Sequence, residues 1–152
     1  MESRYAHLLS PFQVGNVVFR NRMFTAPMGL HALQGGELYP TEAIITHYAN
    51  KAKGGAAVVT CSGTGAYPVT PDKDHLAYDL YIGHSQHYLA QLADAIHFYG
   101  AKASMEIQAA TREPGYYVSA GLMVPGPGMV PGQPTKELTH EMLEDIKKNL
   151  QD

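Results

Sequence analysis

The sequence predicts an α/β fold built on parallel strands. Three short strand-like runs alternate with three segments whose apolar residues recur at helical spacing, and this alternation is typical of βαβ units. The chain has 152 residues, of which 45% are hydrophobic, so it holds enough apolar material for the core of one domain. The three helices can cover one face of such a sheet, while the other face needs either further helices or the inside of a barrel.

The first unit is expected to open with an extended hairpin and a short strand. A turn at Gly15-Asn16 precedes the extended run Val17–Phe19. A second run, Met23–Ala26, stops at Pro27 because proline has no N–H to donate to a sheet.

The helix of this unit is expected to begin after Thr41. A threonine hydroxyl can cap the first turn, and Glu42 suits the positive end of the helix dipole. The glycines at 54 and 55 end the helix. Its apolar positions at helical spacing are Ile44, Ile45, Tyr48, Ala49 and Ala52.

The second unit contains the most apolar strand. The run Ala56–Cys61 is compact and rich in β-branched residues, as in a buried strand, and Ser62–Gly65 follows it as a turn. After a polar loop, an amphipathic helix is expected from Ser85 to a stop at Gly100. Its apolar positions are Tyr88, Leu89, Leu92, Ala93, Ile96 and Tyr99.

The third unit consists of a strand, a long loop and a last helix. Lys102–Gln108 is strand-like. Between Pro114 and Pro134 there are five prolines and five glycines, which excludes a regular element, and long loops of this kind are often functional. Thr139 is expected to cap the last helix, whose apolar positions are Met142, Leu143, Ile146 and Leu150.

Charge and composition exclude several classes of partner. The formal net charge is −3 and no basic face stands out, so neither nucleic acid nor an anionic membrane is expected as a partner. No apolar run is long enough to span a bilayer, and the first residues lack the pattern of a secretory signal, so a cytoplasmic protein is expected. The single cysteine excludes a disulfide framework, and the eight histidines show no metal-ligand spacing, so no metal site is predicted.

Three blocks of sequence stand out by their order and spacing. They are GNVVFRNRMFTAPM at 15–28, TEAIITHYANKAKGGAAVVTCSGT at 41–64 and DAIHFYGAKASMEIQ at 94–108. Together they resemble the old yellow enzyme family of NADH:flavin oxidoreductases. Glu106 stands where most members have glutamine, which is similar to the long branch of enoate and 2,4-dienoyl-CoA reductase-like proteins.

The resemblance implies a TIM (β/α)8 barrel that binds flavin at the C-terminal ends of its strands. Residues 1–152 would be the N-terminal portion of this barrel. That portion has an N-terminal β-hairpin and about the first three βα units, and it is truncated before the fourth strand. The candidate residues lie where such a barrel would need them, because in these barrels the functional residues follow the strands.

The resemblance also implies the cofactor and its contacts. FMN is the expected cofactor and NAD(P)H the reductant; an iron–sulfur cluster and FAD are implied only for a full-length relative. The segment after the first strand, the glycine after the second and the carboxylate of the third would touch the flavin. These positions are Ala26, Pro27, Met28, Gly29, Gly63 and Glu106. No catalytic residue is assigned, because the family's substrate-anchoring and phosphate-binding residues follow later strands.

Three of these positions also have a purely structural interpretation. For Met28 it is a core residue, and for Gly63 a strand-to-loop turn. Glu106 lies between two apolar residues and needs a partner, since burying a lone carboxylate is expensive, and the structural alternative is a salt bridge to Lys or Arg. In the flavin hypothesis, Glu106 accepts from flavin N3–H and lowers the flavin potential relative to glutamine.

The implied activity is that of an FMN-dependent oxidoreductase that moves reducing equivalents from NAD(P)H through flavin to an activated alkene. This chain would supply part of the flavin pocket, with flavin and a small-molecule substrate as ligands. The alternative is a catalytically inactive truncated or split half-barrel that acts only with the missing barrel portion, by self-association or as an interaction module. A third class is a different small-molecule-binding α/β domain.

Overall fold

The structure, a computed structural model, describes residues 4–30, 33, 35, 37–65, 78–80, 82–108 and 140–151. In chain order its elements are α1 (Ala6–Leu9), β1 (Phe12–Val14), β2 (Val17–Phe19), β3 (Phe24–Thr25), α2 (Glu42–Lys53), β4 (Val58–Gly65), β5 (Tyr78–Asp79), α3 (Ser85–Phe98), β6 (Lys102–Gln108) and α4 (His140–Asn149).

Four strands form one parallel sheet around β4. Strands β3 and β6 pair with opposite edges of β4 at Val58, which lies beside Phe24 of β3 and Lys102 of β6. The short strand β5 lies on the β3 side, because Thr64 pairs with Tyr78 there while β6 occupies the other edge. The four described strands do not close on themselves. The expected α/β class with parallel strands is therefore confirmed.

The core lies between one face of this sheet and the helices α2 and α3. Side chains alternate between the two faces of a strand, so Val59 and Cys61 of β4 enter the core while Val58 and Thr60 point to the other face. The buried cluster is Ile44, Tyr48, Ala52, Val59, Cys61, Tyr78, Leu92, Ile96 and Ala101. Burying a large apolar side chain such as Ile44 contributes about 1.5–3 kcal/mol.

The helix boundaries follow from the capping residues that the sequence indicates. Thr41 Oγ1 accepts a hydrogen bond from the Ile44 N–H at 3.4 Å, which confirms it as the N-cap of α2. Gly55 follows α2 with a φ of 108°, and Gly100 follows α3 with a φ of 73°. These left-handed conformations favour glycine and turn the chain from each helix into the next strand.

The segment before the sheet forms the expected hairpin, and Arg20 after it binds backbone carbonyls at the ends of α2 and α3. β1 and β2 pair antiparallel, with Phe12 opposite Phe19. Arg20 then donates to three backbone carbonyls, those of Tyr99 at 2.5 Å, Ala52 at 2.7 Å and Ala56 at 2.6 Å. Two of these carbonyls lie at the ends of α2 and α3, where a cation also suits the helix dipoles.

The strand boundaries differ from the sequence prediction in three places. β3 covers Phe24–Thr25 rather than Met23–Ala26, and β4 runs over Val58–Gly65 rather than stopping at Cys61. The Ser-Gly-Thr-Gly segment has the composition of a turn, but an irregularity in the sheet accommodates it within the strand. β5 was not predicted, because a two-residue strand in a polar segment has no periodicity. The Pro114–Pro134 loop and Thr139 lie outside the described residues.

Candidate active site

A β-bulge marks the C-terminal half of the β4–β6 pair. Cys61 is opposite Met105 and Thr64 is opposite Ile107, so β4 has one more residue than β6 in this interval. The two β4 residues inside it, Ser62 and Gly63, lie opposite Glu106. Bulges are common beside active sites, where they redirect a side chain, and the C-terminal ends of parallel strands are where ligands bind in α/β proteins.

At the bulge, a serine hydroxyl contacts the glutamate of the neighbouring strand. Ser62 Oγ donates to Glu106 Oε2 at 3.0 Å. A hydrogen bond to a carboxylate is stronger than one between neutral groups. It fixes one oxygen of the carboxylate and leaves Oε1 for another donor. Within the described residues, therefore, the partner of Glu106 is a hydroxyl rather than the Lys or Arg of the structural alternative.

A tyrosine of α2 joins this bulge to the segment after β3. Tyr48 Oη donates to the Met28 carbonyl oxygen at 3.1 Å and accepts from the Ser62 N–H at 3.3 Å. Tyr48 is fully buried, and its ring fills the core between α2 and the sheet. One side chain thus reaches the ends of two neighbouring strands.

Burial keeps the two polar groups nearest the bulge in their protonated forms. Desolvation raises the pKa of the Tyr48 phenol to about 12, and the negative charge of the neighbouring Glu106 acts in the same direction. Desolvation likewise raises the pKa of the Cys61 thiol to about 11. At neutral pH Tyr48 is therefore a hydrogen-bond donor, and Cys61 is a core thiol rather than a nucleophile.

The sequence-predicted site residues lie on three adjacent strand ends. Met28 is 53% exposed, so it is not a core residue of the described structure. Gly63 lies within β4 rather than in a turn after it, and Glu106 is half-buried beside it. Ala26, Pro27 and Gly29 are exposed in the segment that follows β3. Flavin contact at these six positions stays a prediction.

Sequence reasoning missed two residues of this arrangement. Tyr48 was assigned only to the helix core, because its apolar spacing gives no sign of what its hydroxyl contacts. Ser62 was assigned to a turn, although a serine next to the predicted contact Gly63 is a signal that a hydroxyl could be available there.

The described residues were compared with the requirements of a membrane span and of a metal site. No helix among them is long and apolar enough to cross a membrane. No group of three or more His, Cys, Asp and Glu side chains among them is arranged to hold a metal ion.

Comparison with known proteins gives the family. The model of the NADH:flavin oxidoreductase / NADH oxidase family matches residues 7–151, nearly the whole chain. The chain belongs to this family. The resemblance that rests on the three sequence blocks is thereby confirmed.

Two curated relatives of this chain are longer than the chain itself. An NADH oxidase of Thermoanaerobacter brockii is 30% identical over 152 residues, which cover 95% of this chain and 23% of the relative. An NADPH dehydrogenase of Listeria monocytogenes serotype 4a is 26% identical over 147 residues, covering 93% of this chain and 43% of the relative. The chain therefore spans less than half the length of these relatives.

Solved structures of this family share the fold. A complex of 2-naphthoyl-CoA reductase with 2-naphthoyl-CoA has a TM-score of 0.71 and 21% identity, covering 95% of this chain and 24% of that one. The old yellow enzyme from Trypanosoma cruzi has a TM-score of 0.59 and 20% identity, covering 72% of this chain and 29% of that one. These neighbours are TIM barrels, so the open parallel sheet matches a part of such a barrel.

Proposed function

We propose that this chain supplies part of the flavin pocket of an FMN-dependent, old yellow enzyme-like oxidoreductase. In this proposal its sheet is the first three βα units of a (β/α)8 barrel, preceded by the hairpin. The observation that carries the proposal is the hydrogen bond from Ser62 to Glu106, because it presents an oriented carboxylate at the strand ends where the ring would bind.

The donors and acceptors at these strand ends fit one edge of an isoalloxazine ring. Glu106 Oε1 is an acceptor for the ring N3–H. The amides of Gly29 and Gly63 are donors for the N5/O4 edge, and neither residue has a side chain that blocks close approach. The exposed Met28 side chain supplies apolar surface against the ring.

The chemistry that bound FMN supplies is hydride transfer, from NAD(P)H to flavin N5 and from there to the β-carbon of an activated alkene. The described residues of this chain at the strand ends bind and orient the ring. Enoates, enones and enoyl thioesters are the proposed substrate class, in line with the long reductase branch that Glu106 indicates. An iron–sulfur cluster and FAD would belong to a longer relative only. The cytoplasm is the proposed compartment, in line with a single, unpaired cysteine.

The direct test is FMN binding by the purified chain. We expect the protein to hold FMN after gel filtration, to be yellow, and to melt at a higher temperature with FMN, by the linkage of binding to stability. Glu106→Leu should weaken binding about tenfold, the cost of one lost hydrogen bond to a charged group. Glu42→Leu, the same change on the exposed first turn of α2, is the matched control. A chain that shows neither colour nor a melting shift at saturating FMN contradicts the proposal.

We propose as a second candidate that the chain acts only together with further barrel chain or with another copy of itself. The observation that favours it is the exposure of apolar side chains on the sheet: Phe24 of β3 is 52% exposed, and Ile107 of the edge strand β6 is 44% exposed. Analytical ultracentrifugation distinguishes the two. A colourless dimer or larger species supports this candidate, and a yellow monomer contradicts it.

A further inference from the structure

The ends of β3 and β4 are joined by a side chain where their backbone ladder has stopped. Thr25 pairs with Val59 as the last register position between these strands. Three residues further along the chain, Met28 lies beyond the end of β3 and Ser62 lies within β4, and the hydroxyl of Tyr48 bridges them at 3.1 and 3.3 Å. The tyrosine therefore replaces a backbone pairing at the level of the proposed ring contacts.

The hydrogen bond to Met28 also sets the direction of the next amide. The Met28 carbonyl belongs to the same peptide plane as the Gly29 N–H, and this peptide bond is trans. In a trans peptide the C=O and N–H point in opposite directions. The Gly29 N–H is therefore directed away from Tyr48. No group in the described part of the chain accepts a hydrogen bond from this exposed amide.

The hydrogen bond to Ser62 extends the same connection to the carboxylate. Ser62 is held at its N–H by Tyr48 and at its Oγ by Glu106, which is 3.0 Å away. Three successive hydrogen bonds thus run from the end of β3 through α2 and β4 to β6. Chains of hydrogen bonds in a partly buried site strengthen and orient one another.

We propose that Tyr48 is a positioning residue for the flavin ring, because its hydroxyl sets the spacing between the Gly29 amide and the Glu106 carboxylate. This inference rests on the proposed flavin-binding function. The ring is rigid, so a donor for its N5/O4 edge and an acceptor for its N3–H must be held at a fixed separation. Burial keeps the Tyr48 phenol protonated, which preserves its donation to the Met28 carbonyl through neutral pH.

The test is the Tyr48→Phe variant of the whole chain, with Tyr78→Phe as the control. Tyr78 is equally buried and also contacts Cys61, but its hydroxyl touches neither Met28 nor Ser62. Both variants lose one buried hydroxyl, and we expect similar losses of melting temperature without FMN. Only Tyr48→Phe should bind FMN about tenfold more weakly and change the visible circular dichroism of the bound flavin.

The outcomes separate this inference from the proposed function. If the unmutated chain binds no FMN, the proposed function fails and the positioning role with it. If the unmutated chain binds FMN, and Tyr48→Phe does so with unchanged affinity and spectrum, only the positioning role is overturned.

Hydrogen exchange of the unmutated chain gives a second measurement that does not depend on how the variants fold. The Ser62 amide should be protected with and without FMN, and the Gly29 amide only with FMN. A Gly29 amide that exchanges at the same rate in saturating FMN overturns the inference.

Discussion

Ser62 Oγ donates a hydrogen bond to Glu106 Oε2 across neighbouring strands, at a bulge where β4 has one residue more than β6. Ser62 lies opposite Glu106 because Cys61 pairs with Met105 one residue before them. The extra residue of the bulge places Gly63 opposite Glu106 as well. One oxygen of Glu106 is thereby fixed at the C-terminal edge of the sheet, and the other is available to a ligand.

A double-mutant cycle measures this contact. Ser62→Ala and Glu106→Ala should each destabilise the fold, and together by less than their sum, because the second change removes a partner already lost. We expect a coupling of about 1 kcal/mol in urea unfolding, at the low end for a hydrogen bond to a charged group since Glu106 is half-buried. Additivity within about 0.3 kcal/mol would show that the bond contributes nothing.

The charge of Glu106 should lower the potential of bound flavin. Reduction adds negative charge to the ring, and a carboxylate at its edge opposes this more than an amide does. We expect Glu106→Gln to raise the two-electron potential by on the order of 30 mV, which corresponds to about 1.4 kcal/mol. Glu42→Gln should leave it unchanged. An unchanged or lower potential in Glu106→Gln would refute this role.

Arg20 should stabilise the fold more than any exposed arginine nearby. Its replacement by methionine leaves the carbonyls of Ala52, Ala56 and Tyr99 without their donor. We expect a loss of about 2–4 kcal/mol in the free energy of unfolding. Arg22→Met is the matched control, since Arg22 bonds His7 and Ser10 at the exposed surface. Equal losses in the two variants would contradict this assignment.

Because the Cys61 thiol is buried, we expect the free energy of unfolding to fall at alkaline pH. Burial raises the pKa of Cys61 from 9.0 to about 11, so the folded state holds this proton at pH values where the unfolded state has released it. The stabilisation is fully present below pH 9 and is lost as pH rises toward 11, by at most about 1.4 kcal/mol per pH unit. Across this range the free energy of unfolding, measured in urea, should fall less steeply with pH for Cys61→Ala than for the unmutated chain. Identical slopes would mean that the thiol does not take part.

The sequence was sufficient where local chemistry decides the structure. The N-cap at Thr41 and the glycine stops of both core helices follow from backbone requirements that a few residues encode. The strand Lys102–Gln108 was predicted with its observed bounds. Composition misled at Ser62–Gly65, because a bulge and a turn use the same residues and only the pairing with β6 distinguishes them.

The sequence predicted the positions of the site residues but not the hydrogen bonds between them. Glu106 and Gly63 follow from the family resemblance, and Glu106 also from the cost of burying a carboxylate. The link through Tyr48 depends on register between two strands and the height of a helix beside them. These are tertiary quantities, and helical spacing alone places Tyr48 in the core without indicating what its hydroxyl reaches.

A crystal structure of the chain grown with saturating FMN tests the central claim most directly. We predict that the ring lies at the C-terminal edge of β4 and β6, with its N3 within about 2.7–3.2 Å of a Glu106 carboxylate oxygen. The Gly29 and Gly63 amides should face the N5/O4 edge, and the bond from Ser62 to Glu106 should be retained. A ring bound elsewhere, or a Glu106 carboxylate that turns away from it, would contradict the account.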